Sequence, residues 1–240
     1  MSESKIADQK RLTRLLSQSV DGLDLPPEFA SKGPAHVVGF TASAAAGKST
    51  LIDKVVNILR LDGNAVIVLA IDPSSPETGG AFLGDRIRMQ SHYLDEGVFI
   101  RSLSSRGSKD SSAPNIGSVI KVASHFADFV LVESPGAGQI DLGIKESVDT
   151  FVFLPDTKAD IINMMKASIH EHAHIMVLNF RNSGLNEEKK FSAMLEGLCG
   201  EIENGWTQLV FEVNALTGVG VEVFVREGIY KHRDFIPLNT

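Results

Sequence analysis

The segment that most restricts the fold is Val37-Val38-Gly39-Phe40-Thr41-Ala42-Ser43-Ala44-Ala45-Ala46-Gly47-Lys48-Ser49-Thr50-Leu51. An apolar run turns through small residues into Gly-Lys-Ser-Thr and then into a helical pattern. A strand, a small-residue loop and a helix in that order make a phosphate-binding loop. Small side chains let backbone N–H groups wrap the β- and γ-phosphates, and the helix N-terminus adds partial positive charge. The spacing assigns Lys48 to the β- and γ-oxygens and the Ser49 hydroxyl to Mg2+. Ala44, Ala45, Ala46, Gly47 and Thr50 complete the expected nucleotide-binding loop. The strict pattern has glycine where this chain has Ala42, and Ala45 is a second glycine-poor position. If either needs φ > 0, alanine costs about 1 kcal/mol there.

The rest of the chain extends this pattern. Apolar runs at 36–41, 65–71, 129–133, 150–154, 175–179 and 209–214 lack strict alternation, which suits strands buried on both faces of a parallel sheet. Helical patterns near 48–61, 115–126, 159–171, 187–199 and 219–230 separate them. The expected fold is therefore an α/β P-loop NTPase domain, with a mostly parallel sheet flanked by helices. Ile6, Leu12, Leu15, Leu16 and Val20 predict one amphipathic helix ahead of it. Gly22 and Pro26-Pro27 end that helix, and Ser31-Lys32-Gly33-Pro34 reads as a linker. The expected organisation is an N-terminal helical arm with its linker at 1–33 and the P-loop domain at 34–240.

Composition narrows the function. The 23 Lys+Arg against 30 Asp+Glu give a net charge of −7. That argues against a broad nucleic-acid surface, which needs clustered cations. A single cysteine, Cys199, excludes internal disulfides and a cysteine-rich zinc site. No apolar run reaches the ~18–20 residues that span a bilayer. The first residues carry no apolar signal region, and Glu3 and Asp8 disfavour a transit peptide. The expectation is a cytoplasmic protein without membrane or nucleic-acid partners.

Further blocks follow in order: Ala70-Ile71-Asp72-Pro73-Ser74-Ser75-Pro76-Glu77-Thr78-Gly79-Gly80, Leu83-Gly84-Asp85-Arg86-Ile87-Arg88-Met89, Phe99-Ile100-Arg101, Ser104-Ser105-Arg106-Gly107, Val132-Glu133-Ser134-Pro135-Gly136-Ala137-Gly138-Gln139 and Ala215-Leu216-Thr217-Gly218. Together they resemble the MeaB/ArgK/MMAA family of P-loop GTPases over roughly residues 36–225. The resemblance implies a GTP-hydrolysing chaperone of adenosylcobalamin-dependent acyl-CoA mutases, with Mg2+ and GTP, or another purine nucleoside triphosphate, as its ligands. It implies that Lys48, Asp72, Asp85 and Glu133 serve catalysis, and that Ser49, Asp72, Asp85 and Glu133 serve the metal and its waters. Gly136 belongs to a Glu-x-x-Gly element. Asn179, Asn182, Asn214, Ala215 and Leu216 fall where the family reads its base. Gln139 could orient a water. Arg86, Arg88 and Arg106 are candidate arginine fingers, and Lys166 lies near a third switch. Mg2+ takes few protein ligands, and a hydroxyl with carboxylates at one remove suits it.

The chain also departs from the family. Asn179-Phe180-Arg181-Asn182 replaces Asn-Lys-x-Asp. A carboxylate accepts two hydrogen bonds from guanine, whereas Asn182 offers one acceptor and one donor. Phe180 replaces a lysine whose stem packs on the base, and an aromatic ring stacks on any purine. Asn214 stands where the family has serine, a milder change. The residues Asp156-Thr157-Lys158-Ala159-Asp160 replace a glycine-rich loop. The C-terminal extension through which members dimerise is not in this sequence, which leaves a family-style homodimer open. Two alternatives remain: a degenerate, non-hydrolysing binding module, and an ATP-using NTPase or kinase. His170-Glu171-His172-Ala173-His174 matches the zinc-protease pattern His-Glu-x-x-His. It abuts the apolar run at 175–179, so the helix that motif requires is expected to end inside it.

Overall fold

Seven strands form one sheet, in the order β3-β2-β4-β1-β5-β6-β7. They are β1 (His36–Ala42), β2 (Val66–Asp72), β3 (Val98–Ser104), β4 (Phe129–Glu133), β5 (Thr150–Leu154), β6 (Ile175–Asn179) and β7 (Leu209–Val213). The computed structural model describes residues 9–43, 45–72, 92, 94–104, 115–135, 142–156, 171–180 and 185–236. The pairs β2–β3, β2–β4, β5–β6 and β6–β7 are parallel. β4, β5 and β6 are buried at every residue. Their largely apolar content, interrupted only at strand ends by Glu133, Thr150 and Asn179, thus has its expected cause, a sheet covered on both faces. The predicted α/β P-loop class is the fold observed.

The sequence reading omitted one strand. β3 is half-exposed along its middle, with Val98 and Leu103 buried at its ends. It is the edge strand beside β2, so its residues need not be uniformly apolar. The helix predicted at 159–171 lies almost wholly outside the described residues.

The chain divides into two compact units. The first comprises residues 1–39, 56–135 and 141–148. In it, helix α1 (Gln9–Val20) buries Leu12, Leu15, Leu16 and Ser19 and packs on helix α3 (Ile116–Ala123). Asn115 donates to the carbonyl of Val20, and Arg101 donates to the Ser17 hydroxyl. The segment after α1 is held by contacts with residues 124–126, far away in sequence. Phe29 is buried, stacks on Phe126 with centroids 5.9 Å apart and meets the His125 ring edge-on. The N–H of Gly33 donates to the Ser124 hydroxyl at 2.7 Å. A Cβ at Gly33 would collide with the backbone of Ser124 and His125, so the close approach requires glycine.

Helix α2 (Lys48–Leu61) passes from the second unit into the first. Near its end, Arg60 grips Asp95 through two bonds, Nε to Oδ2 at 2.8 Å and Nη2 to Oδ1 at 2.7 Å. The Gly97 N–H also donates to Oδ1. This fork fixes the entry to β3.

The second unit comprises residues 40–55, 136–140 and 149–240. It holds β5, β6, β7, helix α4 (Leu185–Glu196) and a C-terminal helical run. That run is α5 (Val221–Val223), a π-helical turn over Phe224–Tyr230, and α6 (Lys231–Phe235). A buried aromatic cluster ties it to the strands. The His174 and His232 rings lie 4.2 Å apart, and Trp206 meets His232 edge-on at 4.5 Å. The Nδ1 of His174 accepts the Phe151 N–H, and the Trp206 indole donates to the His174 carbonyl. Among the described residues no helix is long and apolar enough to cross a membrane.

The Arg60 guanidinium holds the Asp95 carboxyl below its ordinary value, with help from the Gly97 N–H and against a smaller pull from burial. A carboxyl whose folded pKa is depressed adds stability above its unfolded value of about 3.9, and that stability fades as pH falls through the folded value. Asp95→Asn is therefore expected to lower unfolding stability by about 1–2 kcal/mol at pH 7. The gap from wild type should close as pH falls through the depressed folded value. Urea unfolding at a series of pH values measures both.

Candidate functional site

The phosphate loop lies in the second unit. β1 delivers the chain to Ala42, and α2 begins at Lys48. Between them the Ser43 N–H donates to the Leu154 carbonyl, and the Ala46 N–H turns back to the Ser43 carbonyl at 3.1 Å. The Ser43 hydroxyl accepts the Asp156 N–H. Ala45 has φ +59 and Gly47 has φ +90. The question posed by the two alanines is thus resolved. Ala42 is the last residue of a strand and carries no such strain, whereas Ala45 sits in the left-handed region that alanine disfavours. Lys48 is 7% exposed; Ser49 and Thr50 are half-buried in the first turn of α2. The opening turn of a helix presents N–H groups that lack intrahelical acceptors, which is what a phosphate needs. Ala44 lies outside the described residues.

A second loop is bound to the first by one side chain. Asn179 ends β6, is 8% exposed, and spans both loops. Its Nδ2 donates to the Ala46 carbonyl at 2.8 Å, and its Oδ1 accepts the Ala215 N–H at 3.0 Å. The next residue, Phe180, is half-buried, and its N–H donates to the Val213 carbonyl.

Asn214 organises the loop after β7. Its N–H donates to the Val219 carbonyl and its carbonyl accepts the Gly218 N–H, both at 2.8 Å. Its Oδ1 accepts the N–H groups of Leu216 and Thr217. Gly218 and Gly220 take φ +85 and +77, which closes the loop before α5. Sequence reasoning treated Asn214 as a mild replacement; in the structure it is the centre of its loop. The signal was available, because asparagine side chains close turns on N–H groups two and three residues ahead.

The carboxylates belong to the first unit. Asp72 ends β2 and Glu133 ends β4, at the same end of neighbouring parallel strands, with Ala70 in register with Glu133. Glu133 is 3% exposed, and its Oε2 is shut off from solvent. Asp85, Gly136 and Asn182 lie outside the described residues, as do Arg86, Arg88, Arg106, Gln139 and Lys166. A serine hydroxyl at a helix start and buried carboxylate chemistry fit Mg2+ by donor type.

The His-Glu-x-x-His pattern does not form a zinc helix where it is described. Residues 171–174 make a turn and bend leading into β6, and the Nδ1 of His174 is committed to the Phe151 N–H. No group of three metal-ligating side chains occurs among the described residues. Cys199 is half-buried; burial first, and Glu196 second, push its thiol up from the ordinary value. Its thiolate is correspondingly disfavoured.

Comparison with known proteins places the chain in a family. Residues 17–239 match the family described as "Methylmalonyl Co-A mutase-associated GTPase MeaB". A Pyrococcus horikoshii protein provisionally named a GTPase is 40% identical over 210 residues, 85% of this chain and 66% of its own length. This chain thus spans just under two thirds of that relative. The "Fused isobutyryl-CoA mutase" of Geobacillus kaustophilus is 34% identical over 160 residues, 64% of this chain but 14% of that much longer one. Among solved structures, the one titled "LAO/AO transport system kinase" superposes with a TM-score of 0.66 at 21% identity, covering 98% of this chain and 76% of that one. At that identity the likeness supports the fold.

Two substitutions probe this geometry. Asn179→Ala strips the partners from a carbonyl in one loop and an N–H in the other, and should lower stability by about 2–3 kcal/mol in urea unfolding. Ala45→Gly relieves the left-handed strain and should raise stability by about 1 kcal/mol in the same assay.

Proposed function

The chain belongs to the MeaB family of mutase-associated GTPases, and on that premise we propose that it is a Mg2+-dependent purine nucleoside triphosphatase coupled to the assembly or protection of a cobalamin-dependent acyl-CoA mutase. The observation that carries the phosphate chemistry is the loop itself, with Lys48 buried at the start of α2 beside a turn locked by Ser43 and Asn179. The mutase partner is supported by the family description and by the relative that carries a similar segment within a mutase chain.

In this reading Lys48 neutralises charge on the β- and γ-phosphates, and backbone N–H groups of the opening turn of α2 hold them. The Ser49 hydroxyl would hold Mg2+ directly, with Asp72, Asp85 and Glu133 fixing its waters. Such a metal would supply positive charge that offsets the charge developing on the phosphates. Glu133 suits this work because a buried carboxylate acts through little screening. Asn179 holds the phosphate-side and base-side loops in one arrangement. Intrinsic hydrolysis is slow in this scheme, as it is in phosphate-loop proteins whose arginine finger comes from a partner. Without a partner, the turnover expected is on the order of 10⁻³ per second or slower.

A non-hydrolysing binding module is the second reading. The strained Ala45 favours it, since that residue sits where the loop must close on phosphates.

Calorimetry with GDP and Mg2+, paired with phosphate release from GTP, separates the readings. Lys48→Ala should weaken nucleotide binding at least a hundredfold, about 2.7 kcal/mol. Glu133→Gln should slow release more than tenfold while leaving affinity within about threefold. Unchanged affinity in Lys48→Ala would contradict the site, and binding without release, with or without a mutase, would favour the second reading.

A further inference from the structure

Guanine and adenine present the same N7 acceptor but differ at C6, N1 and C2. A site that selects guanine needs a donor for the 6-oxo group and an acceptor pair for the N1 and N2 hydrogens. The described base-side loop has already used its donors. The Ala215 N–H goes to Asn179, and the Leu216 and Thr217 N–H groups both go to Asn214. Three consecutive backbone donors are thereby turned inward. Asn179 has given one Nδ2 hydrogen to Ala46 and its Oδ1 to Ala215. Its second Nδ2 hydrogen suits N7, which every purine carries. At position 182 the sequence supplies an amide in place of a carboxylate, so the acceptor pair for N1 and N2 is missing by chemistry.

One residue gains what these lose. Phe180 follows Asn179 directly, stays half-buried, and is pinned through its N–H to Val213. An aromatic ring stacks on any base, because every base has a π-face.

We propose that this chain takes purine nucleotides with little discrimination among bases, using Phe180 as a stacking platform in place of guanine-specific hydrogen bonds. The inference rests on the phosphate loop being a nucleotide site. It departs from the guanine preference implied by the names of its relatives. ADP and GDP bind within about tenfold of each other, so the more abundant adenine nucleotides compete for the site.

The test is calorimetric titration of the full chain with Mg2+ and, separately, pyrophosphate, ADP, GDP, inosine diphosphate and xanthosine diphosphate. All four nucleotides are expected within about tenfold of one another, each tighter than pyrophosphate. Phe180→Ala should weaken all four together by about 5- to 150-fold and leave pyrophosphate unchanged. Phe180→Tyr should restore the loss, which separates stacking from a folding defect. The pair Phe180→Lys with Asn182→Asp should raise the GDP-to-ADP ratio at least thirtyfold. A hundredfold preference for one base in the wild type would overturn the inference. So would nucleotides no tighter than pyrophosphate, or a Phe180→Ala chain that binds as before; in these cases the phosphate site stands if Lys48→Ala abolishes pyrophosphate binding. If none of the five ligands binds, the nucleotide reading fails and the inference with it.

Discussion

The account depends on one buried side chain. Asn179 joins the turn at Ala46 to the loop at Ala215, two segments about 170 residues apart in sequence, through a donor on one atom and an acceptor on the other. Asparagine carries both functions on one planar amide, and its stem, shorter than that of glutamine, sets the reach. The bond to Ala46 also explains how an alanine can hold a left-handed conformation next door. Local strain of about 1–3 kcal/mol persists where surrounding contacts over-determine the backbone. Here Ser43, Leu154 and Asn179 supply those contacts.

Most of the framework was legible because its physics is periodic. Strands β4, β5 and β6 are buried on both faces, so their apolar runs are continuous and their limits sharp. β3 escaped because an edge strand is half-wet: Phe99 to Ser102 are all half-exposed, and its sequence mixes apolar, charged and hydroxyl residues without a clear period. Ser31-Lys32-Gly33-Pro34 looked like a tether by composition. What fixes it is a non-local contact, Gly33 against Ser124, that spacing cannot report. The amphipathic pattern of α1 predicted a helix but not its partner; only the fold shows that it packs on α3.

The site divided along similar lines. Gly47-Lys48-Ser49 announced a phosphate loop because backbone geometry forces that residue pattern. The sequence raised strain as a question at two alanines, and conformation assigned it to Ala45 alone. Asn214 was undervalued because a substitution was weighed against a family pattern and not against what an asparagine does to a turn. His174 shows the reverse error that a motif invites. Its spacing suits a zinc helix, yet it occupies a buried position where its ring accepts a backbone N–H and lies tilted against the His232 ring. Motifs state which atoms are present; secondary structure decides where they point.

Hydrogen exchange of the full chain, with and without saturating Mg2+ and GDP, tests the central claim most directly. The account predicts that amides in 45–51 gain protection on binding, and that amides in 214–218 gain it with them because Asn179 couples the two loops. In Asn179→Ala the second response should fall away while the first persists. Protection confined to other parts of the chain, with 45–51 unchanged at saturation, would contradict the account.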